Sequence, residues 1–135
     1  MPAATLIIDD GDPPVLPEPQ PFAEYLVGIR ALERQEAERN ALERRAAMSD
    51  AHRMAFELRE KYGASAVYAV GSVCGGGAFD DRSDIDLAAS GIAPERFFRA
   101  WADIAAMTRR EVDLVDLDAC PERLRNLVLE QGEQL

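Results

Sequence analysis

A chain of 135 residues can build one domain with a sizeable core and is short for two. Apolar residues make up 47% and charged residues 30%, as in ordinary globular proteins, and no apolar run reaches the length of about 18 residues that reads as a membrane span. The 25 acidic side chains exceed the 15 basic ones, giving a formal net charge of −10, which disfavours a nucleic-acid partner because binding a phosphate backbone requires basic groups.

Residues 1–21 hold six of the eight prolines. Proline removes amide donors and turns the preceding residue away from helix, so this segment is expected to be an extended arm, with ATLIID (residues 4–9) able to add as a short edge strand. No basic stretch followed by an apolar core heads the chain, so the expected location is the cytosol. Residues 22–62 are rich in Ala, Leu, Glu and Arg, all good helix formers, with apolar residues recurring at Phe22, Leu26, Ile29, Leu32, Leu42, Met54, Phe56 and Leu58. The middle of this stretch is charged on most faces. It reads either as one helix of about 40 residues, spanning about 60 Å, or as two helices with the second capped by Ser49 and Asp50. Such a polar helix is either a solvated face or an arm for a partner or for self-association.

Gly63 then ends the helix. Short apolar strands are expected at 66–70, 85–89 and 112–117. Between the last two, residues 94–109 read as a helix whose Phe97, Phe98, Trp101, Ile104 and Met107 form a core stripe. A final helix covers residues 124–132, after Cys120 and Pro121. Cys74 and Cys120 are far apart, match no metal spacing and are expected to be free thiols. The element order predicts an α/β fold with a small mixed β-sheet and flanking helices. The organisation expected is a proline-rich arm (1–21), a charged helical arm (22–53) and an α/β domain (54–135).

The chemistry concentrates in VYAVGSVCGGGAFDDRSDIDLAA, residues 67–89. Side chains alternate across a strand, so Asp84 and Asp86 share a face while Ile85 and Leu87 point to the core. Two like charges so close are costly unless protonated or bridged by a cation, and hard oxygen ligands suit magnesium. A third carboxylate is available in EVDLVDLD (residues 111–118). Asp113 sits early in that strand and completes the cluster if the two strands are neighbours. Asp116, three residues on, would face the other way. Gly71 and Ser72 end the first strand, where a sharp turn exposes amides and a hydroxyl to a phosphate.

These motifs, in the order Gly71-Ser72, Ser83-Asp84-Ile85-Asp86-Leu87 and Val112-Asp113-Leu114-Val115, resemble the signature of the minimal nucleotidyltransferases of the DNA polymerase β superfamily. The resemblance covers roughly residue 55 onwards, including LRNLVLEQGEQL as the usual last helix. It implies the polymerase β-like nucleotidyltransferase fold and two magnesium ions held by Asp84, Asp86 and Asp113 at a nucleoside triphosphate. The hydroxyl of an acceptor would attack the α-phosphate with help from Asp113, Gly71 and Ser72 would bind the nucleotide, and pyrophosphate would leave. Small members of this kind are commonly antitoxins that transfer AMP from ATP to a tyrosine of a HEPN ribonuclease toxin, so a HEPN toxin is the implied partner. Two departures stand out. The linker between Ser72 and Asp84 has 11 residues rather than the usual ten, and the arginine common after Gly-Ser is replaced by Val73, Cys74 and Gly75. Arg82 is the residue available to substitute. The competing expectations are a non-catalytic subunit that neutralises its partner by binding, and a transferase for a small hydroxyl compound, which would usually carry an additional helical domain.

Overall fold

A computed structural model describes residues 20–75 and 78–135, with only the backbone described for Gln20 and Pro21. The expected proline-rich arm and edge strand at 4–9, and Gly76 and Gly77, lie outside the described residues. The chain divides into two compact units, residues 1–37 and 38–135. In the first, the described residues are helical, and Phe22, Tyr25, Leu26, Val27 and Leu32 are exposed.

Helix α1 (Gln20–Tyr62) is continuous over 43 residues. Ser49 and Asp50 therefore do not start a second helix. Asp50 instead pairs with Arg53 one turn on, which satisfies its carboxylate without interrupting the ladder. Ala47, Ala51, Met54, Ala55, Leu58 and Tyr62 are buried at helical spacing and form the seam that packs on the sheet. Half of these six residues are alanines, and Met54, Leu58 and Tyr62 supply the larger side chains. Gly63, at φ +71°, closes the helix with its amide on the Arg59 carbonyl at 3.1 Å.

Four strands follow: β1 (Ala66–Val70), β2 (Ile85–Ser90), β3 (Val112–Asp116) and the two-residue β4 (Glu133–Gln134). They form one mixed sheet in the order β3-β2-β1-β4. β1 runs antiparallel to β2 and β4, whereas β2 and β3 are parallel. The parallel pair needs a crossover, supplied by a 3-10 turn (Pro94–Arg96) and helix α2 (Phe97–Ala105). Helix α3 (Glu122–Gln131) then leads into β4, where the Leu135 amide donates to the Val67 carbonyl at 2.9 Å.

Alternation gives each face of the sheet its own core. Val67, Ala69, Ile85, Leu87, Ala89, Val112 and Leu114 join residues of α1 and α2 in one buried cluster. Tyr68, Val70, Ala88 and Val115 point the other way and gather with Leu117, Cys120 and Val128, which places α3 over the second face. The α2 stripe is as expected at Phe97 and Ile104, which are buried, but Phe98 is 77% exposed and stacks on Trp101 instead. No described helix is long and apolar enough to cross a membrane.

Candidate active site

Strand β1 delivers the chain to a bend at Gly71, whose φ of +72° is a conformation that side chains with a Cβ rarely adopt. A Cβ added there would lie 2.7 Å from Asp86 Oδ2. Glycine thus lets the bend lie directly against the carboxylate on the neighbouring strand. The turn Gly71–Cys74 is a single 3-10 turn, closed by the Gly75 amide on the Ser72 carbonyl at 3.1 Å. Gly75, in the left-handed conformation at φ +99°, ends the turn.

Asp86 is the hub. Its register partner on β1 is Val70, and its partner on β3 is Asp113. Neighbouring strands are about 4.8 Å apart, and equal register in a parallel pair sends both side chains to the same face. That is the second face, the one covered by α3. Asp84 immediately precedes β2 and shares the parity of Asp86. Burial first, then the negative charges of Asp113 and Asp84, hold the Asp86 carboxyl above the usual carboxylate range. Asp116 has the opposite parity. Its carboxylate accepts the Asp118 amide at 3.0 Å and organises the turn after β3.

A cleft of about 1020 Å³ opens between this face and α3. Val70, Gly71, Ser72, Asp86 and Asp113 form one wall, and Leu124, Leu127 and Val128 of α3 form the other. Trp101 lines its edge, with its Nε1–H donating to the Val112 carbonyl at 2.6 Å, next to Asp113. Asp84 and Arg82 are not among the described residues that line the cleft. Arg82 is exposed in a tight turn, its amide bonded to Asp80 Oδ1 at 2.8 Å. The Cys74 thiol also lines the cleft, but it donates to the Ala69 carbonyl and burial raises its pKa, which makes it a poor nucleophile.

The donor set consists of carboxylate oxygens whose mutual repulsion a divalent cation would relieve, so its chemistry fits magnesium. Among the described residues, however, no group of three or more His, Cys, Asp or Glu side chains is already drawn together to hold a metal ion. Asp86 and Asp113 are neighbours by register, and Asp84 lies one step outside them.

Sequence reasoning did not find Arg110 or Phe79. Phe79 is buried in the linker between the bend and Asp84, with the Arg110 guanidinium 4.7 Å from its ring centre. An aromatic residue inside a glycine-rich linker was the available signal, because a loop has no reason to bury a phenyl ring unless something anchors it.

No family model matches the chain, and no curated protein does. Solved structures do. A mutant of the toxin–antitoxin pair MntA–HpeT is 27% identical, with 62% of this chain and 69% of that chain covered and a TM-score of 0.53. The fold is that of the minimal nucleotidyltransferases. A toxin–antitoxin structure with AMP-PNP matches this nucleotidyltransferase fold at 25% identity, over 61% of this chain and 69% of that one, with a TM-score of 0.52. A tri-AMPylated Shewanella oneidensis HEPN toxin in complex with an MNT antitoxin matches at 23% identity, over 65% and 70%, with a TM-score of 0.51. The shared fold accounts for the mixed four-stranded sheet with its flanking helices.

Proposed function

We propose that this chain is an antitoxin that transfers AMP from ATP to a hydroxyl, expected to be a tyrosine, of a HEPN-type ribonuclease toxin. The observation that carries this reading is the meeting of three features in one cleft: the Gly71 bend, Asp86, and Asp113 in register beside it. A pure scaffold gains nothing from two carboxylates forced together on a half-buried face, one of them made harder to ionise. The similarity to a toxin–antitoxin structure containing AMP-PNP supports ATP as the nucleotide. The similarity to a complex with a tri-AMPylated HEPN toxin supports the acceptor class.

In this mechanism the amides of the 3-10 turn and the Ser72 hydroxyl would hold the triphosphate. Gly71 keeps the backbone close enough to do so. Asp84, Asp86 and Asp113 would hold two magnesium ions, which when bound neutralise the charge that builds on the phosphate oxygens. The acceptor oxygen forms a bond to the α-phosphorus as the bond to the bridging oxygen breaks, and pyrophosphate leaves. The acceptor proton passes to the Asp113 carboxylate, which lies on an edge strand and is exposed to an incoming protein.

The test uses the purified chain, magnesium, ATP labelled at the α-phosphate and a HEPN-type toxin from the same genome as acceptor. Label should pass to the toxin, and changing Asp84 and Asp86 together to Ala should reduce transfer at least a thousandfold while the fold melts cooperatively as before. A double variant that still labels sinks the site assignment. The alternative is a non-catalytic subunit that neutralises the toxin by contact. It is favoured by the lack, among the described residues, of a ready three-carboxylate cage. Inhibition at a one-to-one ratio without any labelling would establish it.

A further inference from the structure

Strand β2 begins at Ile85, so the sheet fixes Asp86 but not Asp84. The segment before Asp84 includes three consecutive glycines in its sequence, at 75 to 77. Something else must set where the first carboxylate stands, and the structure supplies it. Residues Asp80 to Ser83 close a tight turn, in which the Ser83 amide donates to the Asp80 carbonyl at 3.3 Å and the Asp80 amide donates to Ser83 Oγ at 3.0 Å. That turn presents two carbonyl groups to one guanidinium. Arg110 Nη1 donates to Asp80 O at 2.7 Å and to Ser83 O at 2.8 Å. Its Nη2 donates to Glu43 Oε2 on α1, and its plane lies over the Phe79 ring. Only 10% of the Arg110 side chain is exposed. One residue further along, the Glu111 carbonyl accepts the Ile85 amide at 2.9 Å.

We propose that Arg110, oriented by Glu43, is a positioning residue that fixes Asp84 against Asp86 and Asp113. The proposal rests on the metal-site reading given above and assigns Arg110 no contact with the nucleotide. Arg110 stands three residues before Asp113 and grips the carbonyl of the residue before Asp84. It therefore couples the approach to one acidic strand to the approach to the other. A planar fork with several donors suits this task, and a lysine, with a single mobile ammonium, does not reproduce it. Burial of the charge is tolerated because Glu43 and two carbonyls surround it, so removing Glu43 should also loosen the grip.

The test measures Mn²⁺ binding to the full chain by the loss of the free-ion paramagnetic resonance signal. The single tryptophan, Trp101, gives an independent fluorescence reading from the edge of the cleft. Arg110→Ala is expected to bind Mn²⁺ at least tenfold more weakly than the wild type, Arg110→Lys at least threefold, and Glu43→Gln in the same direction. Hydrogen exchange should speed up at residues 80–85 while the later part of β2 stays protected. Met54→Ala, about three helical turns along α1 from Glu43, serves as a control for loss of stability and should bind Mn²⁺ as the wild type does. Wild-type affinity in Arg110→Ala, or equal weakening in Met54→Ala, overturns the proposal. A wild-type chain that binds no Mn²⁺ overturns both the metal site and the positioning role, whereas a deficit confined to the Arg110 and Glu43 variants supports both.

Discussion

Gly71 holds the tightest position in the cleft, since its backbone is left-handed and its missing side chain leaves room for the Asp86 carboxylate. Gly71→Ala should therefore act twice. The backbone conformation costs a residue with a Cβ about 1–2 kcal/mol, and the new methyl must displace Asp86 Oδ2. The expected outcome is a loss of AMP transfer of at least a hundredfold with only a modest fall in melting temperature, read by the labelling assay and by thermal denaturation. Unchanged transfer would mean that the bend does not need to lie against Asp86. Residues of this kind are where the sequence was most legible. Gly71 and Ser72 announce a turn, and Asp113, early in an apolar strand, stands in register beside Asp86, whereas Asp84 lies before the start of β2. The choice of Asp113 over Asp116 could be argued from parity alone, and the structure gives the two the parities expected. Arg110 was not legible, because the carbonyls it binds are backbone groups and leave no trace in residue type.

Among the elements, α1 separates what pattern reveals from what it hides. Its composition marked it as helix, yet half of the seam that packs on the sheet is alanine, which a search for large apolar residues passes over. Phe56 was counted among the apolar recurrences and is 64% exposed, whereas Met54 is fully buried. Met54→Ala should cost about 2–5 kcal/mol, as expected when a buried side chain leaves a cavity. Phe56→Ser should stay within about 0.5 kcal/mol, as surface changes do. Urea unfolding followed by circular dichroism measures both, and a larger loss at Phe56 would show that α1 lies in a different rotation. The three strands read from the sequence fall within a residue of their observed ends. β4 was not foreseen, because two polar residues become a strand only when the edge of β1 is there to pair with them. Helix α2 is shorter than its apolar pattern implied, ending at Ala105, and Met107 packs on the core from the connection that follows.

At the scale of the whole molecule, the acid cluster ties stability to solution conditions. The folded state holds the Asp86 proton more tightly than the unfolded chain does, since burial and the charges of Asp113 and Asp84 raise its pKa. Between the ordinary Asp value, near 3.9, and the raised one, the folded state thus binds more protons. The contribution of Asp86 to stability then falls as pH rises through that window and levels off above it. Thermal melts in a chelating buffer should show this decline, and Asp86→Asn should flatten it and melt higher than the wild type at neutral pH. A lower melting temperature for Asp86→Asn would show that the carboxylate is stabilised by something other than a cation.

The parallel pairing of β2 with β3 has a consequence of its own. Asp86 and Asp113 belong to segments that meet only after the whole crossover has formed, so neither half of a chain severed between residues 105 and 112 contains the pair. Mixing two such pieces would rebuild the acidic couple only in molecules where the halves had found each other. The raised Asp86 titration would then count reconstituted protein, with no need for an attached reporter.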